Sequence, residues 1–271
     1  MMKADFFYQS VPGRFVLKII QKTGVFRLAA WFLHTKASRR MIPGFVRRNG
    51  IDMTPWEGQS FASYADFFSR TEARSLPESR DGELTAPCDS LLSLFPVTED
   101  MTLPMKGSSY RLRDLIPGEA LSASFSGGLC LVFRLEATDY HHFISFDDAV
   151  LKETGFIEGQ LHSVQPIALA AYPVFRLNRR WWTLLHTAHF GPAVQIEVGA
   201  MVVGGVQFSE NTGRLSRGEE MGHFTLAGST ILLFLTKTIK DRLVLYPSLE
   251  KASAGLEEVP VRMGEPLGKL S

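Results

Sequence analysis

The chain of 271 residues carries only two cysteines, Cys88 and Cys130, and no CxxC pair. That excludes a disulfide framework and a cysteine-held zinc or iron–sulfur site, and it makes a reducing compartment the expectation. Long apolar runs are missing too. Those present, such as Ile231 to Leu235, fall far short of the roughly 20 residues a bilayer-crossing helix needs, so no transmembrane helix is expected. Arg14, Lys18 and Lys22 interrupt the first apolar stretch and no small-residue cleavage site follows it, which is not the layout of a signal peptide. Neither a GxSxG elbow, a phosphate loop nor a dinucleotide fingerprint occurs. What is present is an ordinary globular composition, with 45% hydrophobic and 21% charged residues. Such a chain can bury a sizeable core and is not a disordered one.

The formal net charge of +1 hides a lopsided distribution. Residues 1–50 hold ten Lys and Arg against one acid, Asp5, so this segment is +9 and the remaining 221 residues are −8. From Arg14 to Lys22 a helical projection puts Val16, Ile19 and Ile20 on one side and Arg14 and Lys18 on the other. Ala29 to Leu33 continue the apolar character beyond Gly24. The pattern predicts helices, either lying on an anionic membrane surface or packed on the protein with a solvated basic face. No nucleic-acid reader motif accompanies the charge, so nucleic acid is not an expected partner.

From about residue 85 the periodicity turns to alternation. Leu129, Leu131, Phe133 and Leu135 interleave with Cys130, Val132, Arg134 and Glu136, and Val194, Ile196 and Val198 interleave with Gln195 and Glu197. Turn signals recur at Pro117-Gly118, Gly127-Gly128, Gly191-Pro192 and Asn211-Thr212-Gly213. The fold expected is α+β: basic N-terminal helices, then a largely antiparallel β barrel or sandwich-like core. Three regions follow: a membrane-associating helical segment over 1–60, a catalytic domain over 61–247 and a loosely held tail over 248–271. A short helix is predicted around Tyr64 to Arg70.

Seven histidines are available for chemistry. On a strand, Asp139 and His141 would share a face, with His142 on the other, and an imidazole beside a carboxylate suits acid–base work as well as a structural hydrogen bond. His186 and His189, three apart on a strand, would face opposite ways, so no metal site is expected. Gly228-Ser229-Thr230, followed by an apolar run, reads by itself only as a turn entering a strand.

Taken in order, several segments resemble the phosphatidylserine decarboxylase family. They are Asp66-Phe67-Phe68-Ser69-Arg70 with Arg74 beyond, Ala86-Pro87-Cys88-Asp89, Lys106-Gly107-Ser108-Ser109-Tyr110, Asp139-Tyr140-His141, Asn178-Arg179 and Val198-Gly199-Ala200. Arg217-Gly218-Glu219-Glu220-Met221-Gly222-His223-Phe224 and Gly228-Ser229-Thr230 complete the series. The resemblance implies a proenzyme that cuts itself between Gly228 and Ser229. Ser229 would attack the Gly228 carbonyl, and elimination from the ester would leave residue 229 as a covalent pyruvoyl group, the cofactor, on a chain of 43 residues. It further implies Asp89 in self-cleavage, His141 in decarboxylation and protonation, and no metal.

Where the family often has a second histidine this chain has Ile144, so His142, His223 and His141 are the candidate substitutes as the base that activates Ser229. Ser90 and Ala227 also depart from the family pattern. The implied function is conversion of phosphatidylserine to phosphatidylethanolamine and carbon dioxide, on the cytoplasmic side of the cell membrane as a peripheral protein. The implied partners are the anionic lipid surface, the two cleavage chains held as a heterodimer, and a second copy of the protein. A soluble amino acid or related amine is the alternative substrate. An unprocessed homologue that binds lipid or a protein partner is the alternative of another class.

Overall fold

The computed structural model describes residues 4–72, 74–100, 102–105, 108–201, 205–210, 213–226, 229–253 and 257–271. The basic segment folds as helices α1 (Ala4–Gln9), α2 (Val11–Lys22), α3 (Val25–Leu33) and α4 (Ile42–Asn49). Ser10 caps α2 by accepting a hydrogen bond from Gly13 N, and Pro12 occupies its first turn, where a missing N–H costs nothing. A Cβ on Gly13 would sit 1.8 Å from the Phe6 carbonyl oxygen, so the return of α2 across α1 requires glycine there. Gly24, at φ +71°, breaks α2 from α3. The predicted short helix is α5 (Tyr64–Phe68). Ser63 Oγ accepts from Asp66 N, and the Asp66 carboxylate accepts from Ala62 N, which satisfies its first turn.

The strands are β1 (Glu83–Thr85), β2 (Ser90–Pro96), β3 (Thr102–Met105), β4 (Ser108–Arg111), β5 (Leu129–Leu135), β6 (His142–Ile144), β7 (Ala149–Ile157) and β8 (Arg180–Thr187). They continue with β9 (Gly191–Val198), β10 (Val206–Phe208), β11 (Arg214–Leu215), β12 (Glu220–Phe224), β13 (Ser229–Leu235), β14 (Leu243–Leu245), β15 (Val259–Val261) and β16 (Pro266–Leu270). Eight of them form one antiparallel sheet in the order β11-β7-β8-β9-β13-β5-β2-β15. That sheet is open, ending at β11 and β15, so of the two expected forms the sandwich stands and the closed barrel does not.

Alternation along the central strands sorts the core into two layers. Leu92, Phe133, Ile231 and Leu233 face Phe143, Met221 and Phe224 of the small sheet β10-β12-β6. Val132, Val194, Ile196, Leu232 and Phe234 face the other way, under helical segments that include Leu112, Phe125 and Phe175. Tyr8 and Leu17 of the N-terminal helices join this second layer, and Ser163 N donates to the Tyr8 hydroxyl. β13 lies between β9 and β5 with all seven residues buried, so both its faces are apolar and it reads as an unbroken hydrophobic run.

The expectation of a loosely held tail over 248–271 is corrected. β16 pairs with both β1 and β14, β15 pairs with β2, and Leu249, Ala252, Val261 and Leu267 are buried. Pro260 sits on the edge strand of the large sheet, where a missing N–H is tolerated. Gly268 is required by close approach, since a Cβ there would lie 2.6 Å from the Val244 carbonyl oxygen. The residues that read as a coil are the ones these two short strands need.

Candidate active site

The sheet register brings two of the candidate residues to one end of β5. Ser229 pairs with Leu135 of β5, and on the other side of β5 Leu91 pairs with Arg134, so Ser229 and Asp89 flank the point where β5 leaves the sheet. Ser229 is buried at the start of β13, while Gly228, the other half of the expected scissile pair, lies outside the described residues.

Asp89 is held from three sides. Its Oδ1 accepts from Met263 N at 2.9 Å, its Oδ2 from Arg74 Nη1 at 2.7 Å, and Arg262 Nη1 stands 3.7 Å away. It therefore ties the C-terminal segment to the sheet end. Beyond β5 the chain turns tightly: Asp139 N donates to the Glu136 carbonyl, and Glu136 N donates to Asp139 Oδ2 at 2.7 Å.

His141 follows this turn and is fully buried, its ring 4.1 Å from that of Phe68. Its Nδ1 lies 2.8 Å from the backbone oxygen of Asp139. A carbonyl can only accept, so Nδ1 carries the proton and Nε2 keeps its lone pair. Nε2 is buried and has no hydrogen-bond partner among the described residues. Burial, opposed by the Asp139 hydrogen bond, brings the imidazole down to about 3, so it is neutral at physiological pH. The expectation that the Asp139 carboxylate would face His141 on a strand is corrected: Asp139 closes a turn that starts at Glu136, residues 139–141 lie outside any strand, and the contact is with the main chain. Phe224 N donates to the His141 carbonyl, and Leu226 packs on Phe68, so the chain leading toward Ser229 runs past this histidine.

His142, at the start of β6, stacks between Tyr140 and His223, with ring centroids at 4.6 and 4.7 Å. Its Nε2 is 3.3 Å from the Ser69 carbonyl, and its Nδ1 lies 3.0 Å from Glu220 Oε1, off the direction a hydrogen bond needs. Burial, helped by the field of His142, lowers the basicity of His223. Two buried imidazole nitrogens near this sheet end therefore lack a hydrogen-bond partner among the described residues, Nε2 of His141 and Nδ1 of His142.

A cavity of about 410 Å³ opens beside these groups, lined among others by Arg70, Arg74, Asp89, Asp139, Tyr140 and Arg262. Arg70 lies 4.6 Å over the Trp56 ring and Arg74 4.4 Å over Tyr140. Burial pulls Arg70 below the ordinary arginine range. Burial also pushes Asp139 up to about 6, with Asp89 adding to the rise. The cavity offers a small ligand the guanidiniums of Arg70, Arg74 and Arg262 among the carboxylates of Asp52, Glu72, Asp89 and Asp139, and Asp139 is less acidic than an ordinary aspartate. Arg262 was not signalled by the sequence, since it lies in the stretch that reads as a tail. Trp56 carries no motif that signals it either.

Sequence reading also passes over Glu197. It is fully buried on β9, on the same sheet face as Ser229 but one row deeper, since Glu197 pairs with Ile231. Gln195 Nε2 donates to its Oε1 at 2.9 Å, Oε2 has no partner among the described residues, and burial raises the carboxyl to about 7. A raised acid contributes stability that is fully present below its unfolded pKa and is lost as pH rises through the folded one. Stability should therefore fall by about 3 kcal/mol as pH climbs from about 4.5 through 7. Glu197→Gln should remove that slope, measured by thermal melting across pH in an uncleavable background. An unchanged slope would mean the carboxyl is solvated.

The family model for phosphatidylserine decarboxylase matches residues 62–269. Among curated relatives, phosphatidylserine decarboxylase proenzyme 2 of Clostridium acetobutylicum is 36% identical over 268 residues, covering 97% of this chain and 90% of that protein. Phosphatidylserine decarboxylase proenzymes of Clostridium botulinum strain Alaska E43 and Desulfitobacterium hafniense strain DCB-2 are 34% and 31% identical, each over 96% of this chain and 90% and 89% of theirs.

Proposed function

Because the chain belongs to the phosphatidylserine decarboxylase family, we propose that it releases carbon dioxide from phosphatidylserine after cutting itself between Gly228 and Ser229. What supports the reading is that Ser229 and Asp89 flank the end of β5, with His141, buried and with its Nε2 lone pair unused, six residues beyond that end. A pyruvoyl group derived from Ser229 supplies, once formed, an electrophilic ketone for the substrate amine and a sink for the electrons freed as carbon dioxide leaves. The surroundings fit such a group, because Ser229 is shielded from water and His141, six residues beyond the strand end that Ser229 flanks, has an orphaned buried nitrogen.

Residues of the chain do the rest. Arg70, Arg74 and Arg262 hold the phosphate and carboxylate of the head group in the cavity. The arriving negative charge raises the basicity of His141, so its Nε2 takes a proton from the substrate ammonium and returns it to the carbon that loses carbon dioxide. Asp89 positions the C-terminal segment through Met263 N and keeps Arg74 in place. After scission the 43-residue chain stays anchored, because β13 remains paired with β9 and β5.

The lipid is taken from a membrane surface. Val11, Phe15 and Ile19 form an exposed stripe four residues apart on α2, and Leu28, Trp31 and Phe32 are exposed on α3, with Arg14, Lys18, Lys22 and Arg27 around them. The helix faces thus differ from the projection: Leu17 turns inward and Ile19 outward. No helix among the described residues is long and apolar enough to cross a membrane. The paired variant Phe15→Glu/Trp31→Glu should bind phosphatidylserine vesicles about a hundredfold more weakly, from two side chains at about 1.5 kcal/mol each. Its turnover of a short-chain soluble analogue should be unchanged, and equal loss on both substrates would refute docking by this face. Carbon dioxide release from phosphatidylserine, compared with free serine and other amines, tests the substrate. Turnover of the free amino acid alone would replace the lipid reading.

A further inference from the structure

A β-bulge builds a second chemical site beside His141. On β12 Glu220 pairs with Ile144 and Gly222 with Phe143, so two steps on β12 oppose one on β6. In a regular strand Glu220 and His223 would face opposite ways. The extra residue resets the alternation: Met221 and Phe224 both enter the core, while Glu220 and His223 both point outward. His142 pairs directly with His223 across the two strands and points the same way. The bulge needs Gly222, since a Cβ there would lie 2.4 Å from the Gln207 carbonyl oxygen.

One nitrogen or oxygen each from His142, Glu220 and His223 then lie within 4.8 Å of one another. The proton positions sharpen the case. Ser69 offers only a carbonyl to His142 Nε2, so Nε2 carries the proton and Nδ1 presents a lone pair. That buried lone pair faces Glu220 Oε1 at 3.0 Å without a hydrogen bond between them. Two acceptors at this distance repel unless a proton or a metal cation lies between them.

We propose that His142, Glu220 and His223 bind a divalent transition metal, zinc by preference. Two imidazoles and a carboxylate are a borderline-soft donor set suited to zinc, with a fourth position left for water. The Ser69 carbonyl behind His142 is the outer partner that fixes the tautomer of a ligating histidine. Donors around a tetrahedral zinc stand about 3.4 Å apart. The exposed Glu220 and the half-buried His223 are free to rotate the short way inward, while His142 is held between Tyr140 and Ser69. The ion would clasp β6 to β12. One of these strands begins at the residue after His141, and the other leads through Phe224, whose N–H bonds the His141 carbonyl, toward Ser229. Its role is to hold the backbone on which the proton-transfer group sits.

The full-length wild-type protein, stripped with a chelator, is titrated with Zn²⁺ by calorimetry and with Co²⁺ by visible absorption. One ion per chain, the d–d bands of a four- or five-coordinate cobalt site and a zinc-dependent rise in melting temperature are expected. Glu220→Gln and His223→Ala, neither at a fully buried position, should each weaken binding about a hundredfold and abolish the melting shift. The exposed His186→Ala should change nothing. Absence of uptake by the wild type, or equal uptake by wild type and both variants with circular dichroism unchanged, overturns the site.

Discussion

Replacing Ser229 by alanine leaves one uncut chain of 271 residues that releases no carbon dioxide from phosphatidylserine. The change removes a single oxygen at a buried position whose backbone is locked into the ladder with β5. Losing that hydroxyl costs about 1 kcal/mol of stability, which the fold absorbs. It also removes both the nucleophile for scission and the only source of the ketone. Activity should therefore drop by at least about 10⁶-fold, to the uncatalysed background. Denaturing gel electrophoresis and a carbon dioxide assay on the same sample read both effects. A variant at 229 still cut at the same bond would show that another group attacks.

His141→Ala should separate the two halves of the chemistry. Scission proceeds, since Ser229, Asp89 and the sheet register are intact, while turnover falls by about 10²- to 10⁴-fold, the range for a lost general acid–base group. Because the fully buried His141 packs on Phe68, His141→Gln serves as the variant that keeps side-chain volume. It should be equally slow while melting like the wild type. A glutamine variant with normal single-turnover rates would remove His141 from the reaction.

Much of this arrangement is legible in the residue order. Alternation marks β5 and β9, the unbroken run after Ser229 marks a strand buried on both faces, and Gly24 marks the break between α2 and α3. Those signals are local, and local periodicity survives folding wherever a core enforces it. Motif order marks Asp89, His141 and Ser229, and register explains why Asp89 and Ser229, so far apart in sequence, flank the same end of β5. The misreadings have equally specific causes. The tail reads as coil because β15 and β16 are short and carry Pro260, Pro266 and Gly268, whose tolerance depends on an edge position, a strand start and a close backbone neighbour. Strand alternation would put Asp139 and His141 on one face, but the turn from Glu136 to Asp139 ends the alternation. The His142–Glu220–His223 cluster needs both a cross-strand pairing and a bulge, neither of which leaves a mark on spacing. Arg262 joins the cavity only because Asp89 fixes the main chain of its neighbour Met263.

The most direct test is the intact mass of purified wild-type protein under denaturing conditions. The account predicts two species, residues 1–228 and residues 229–271, the shorter one lighter by one ammonia than a serine-terminated peptide and reactive toward a carbonyl reagent. A sample that turns over phosphatidylserine yet shows a single mass for all 271 residues would contradict it.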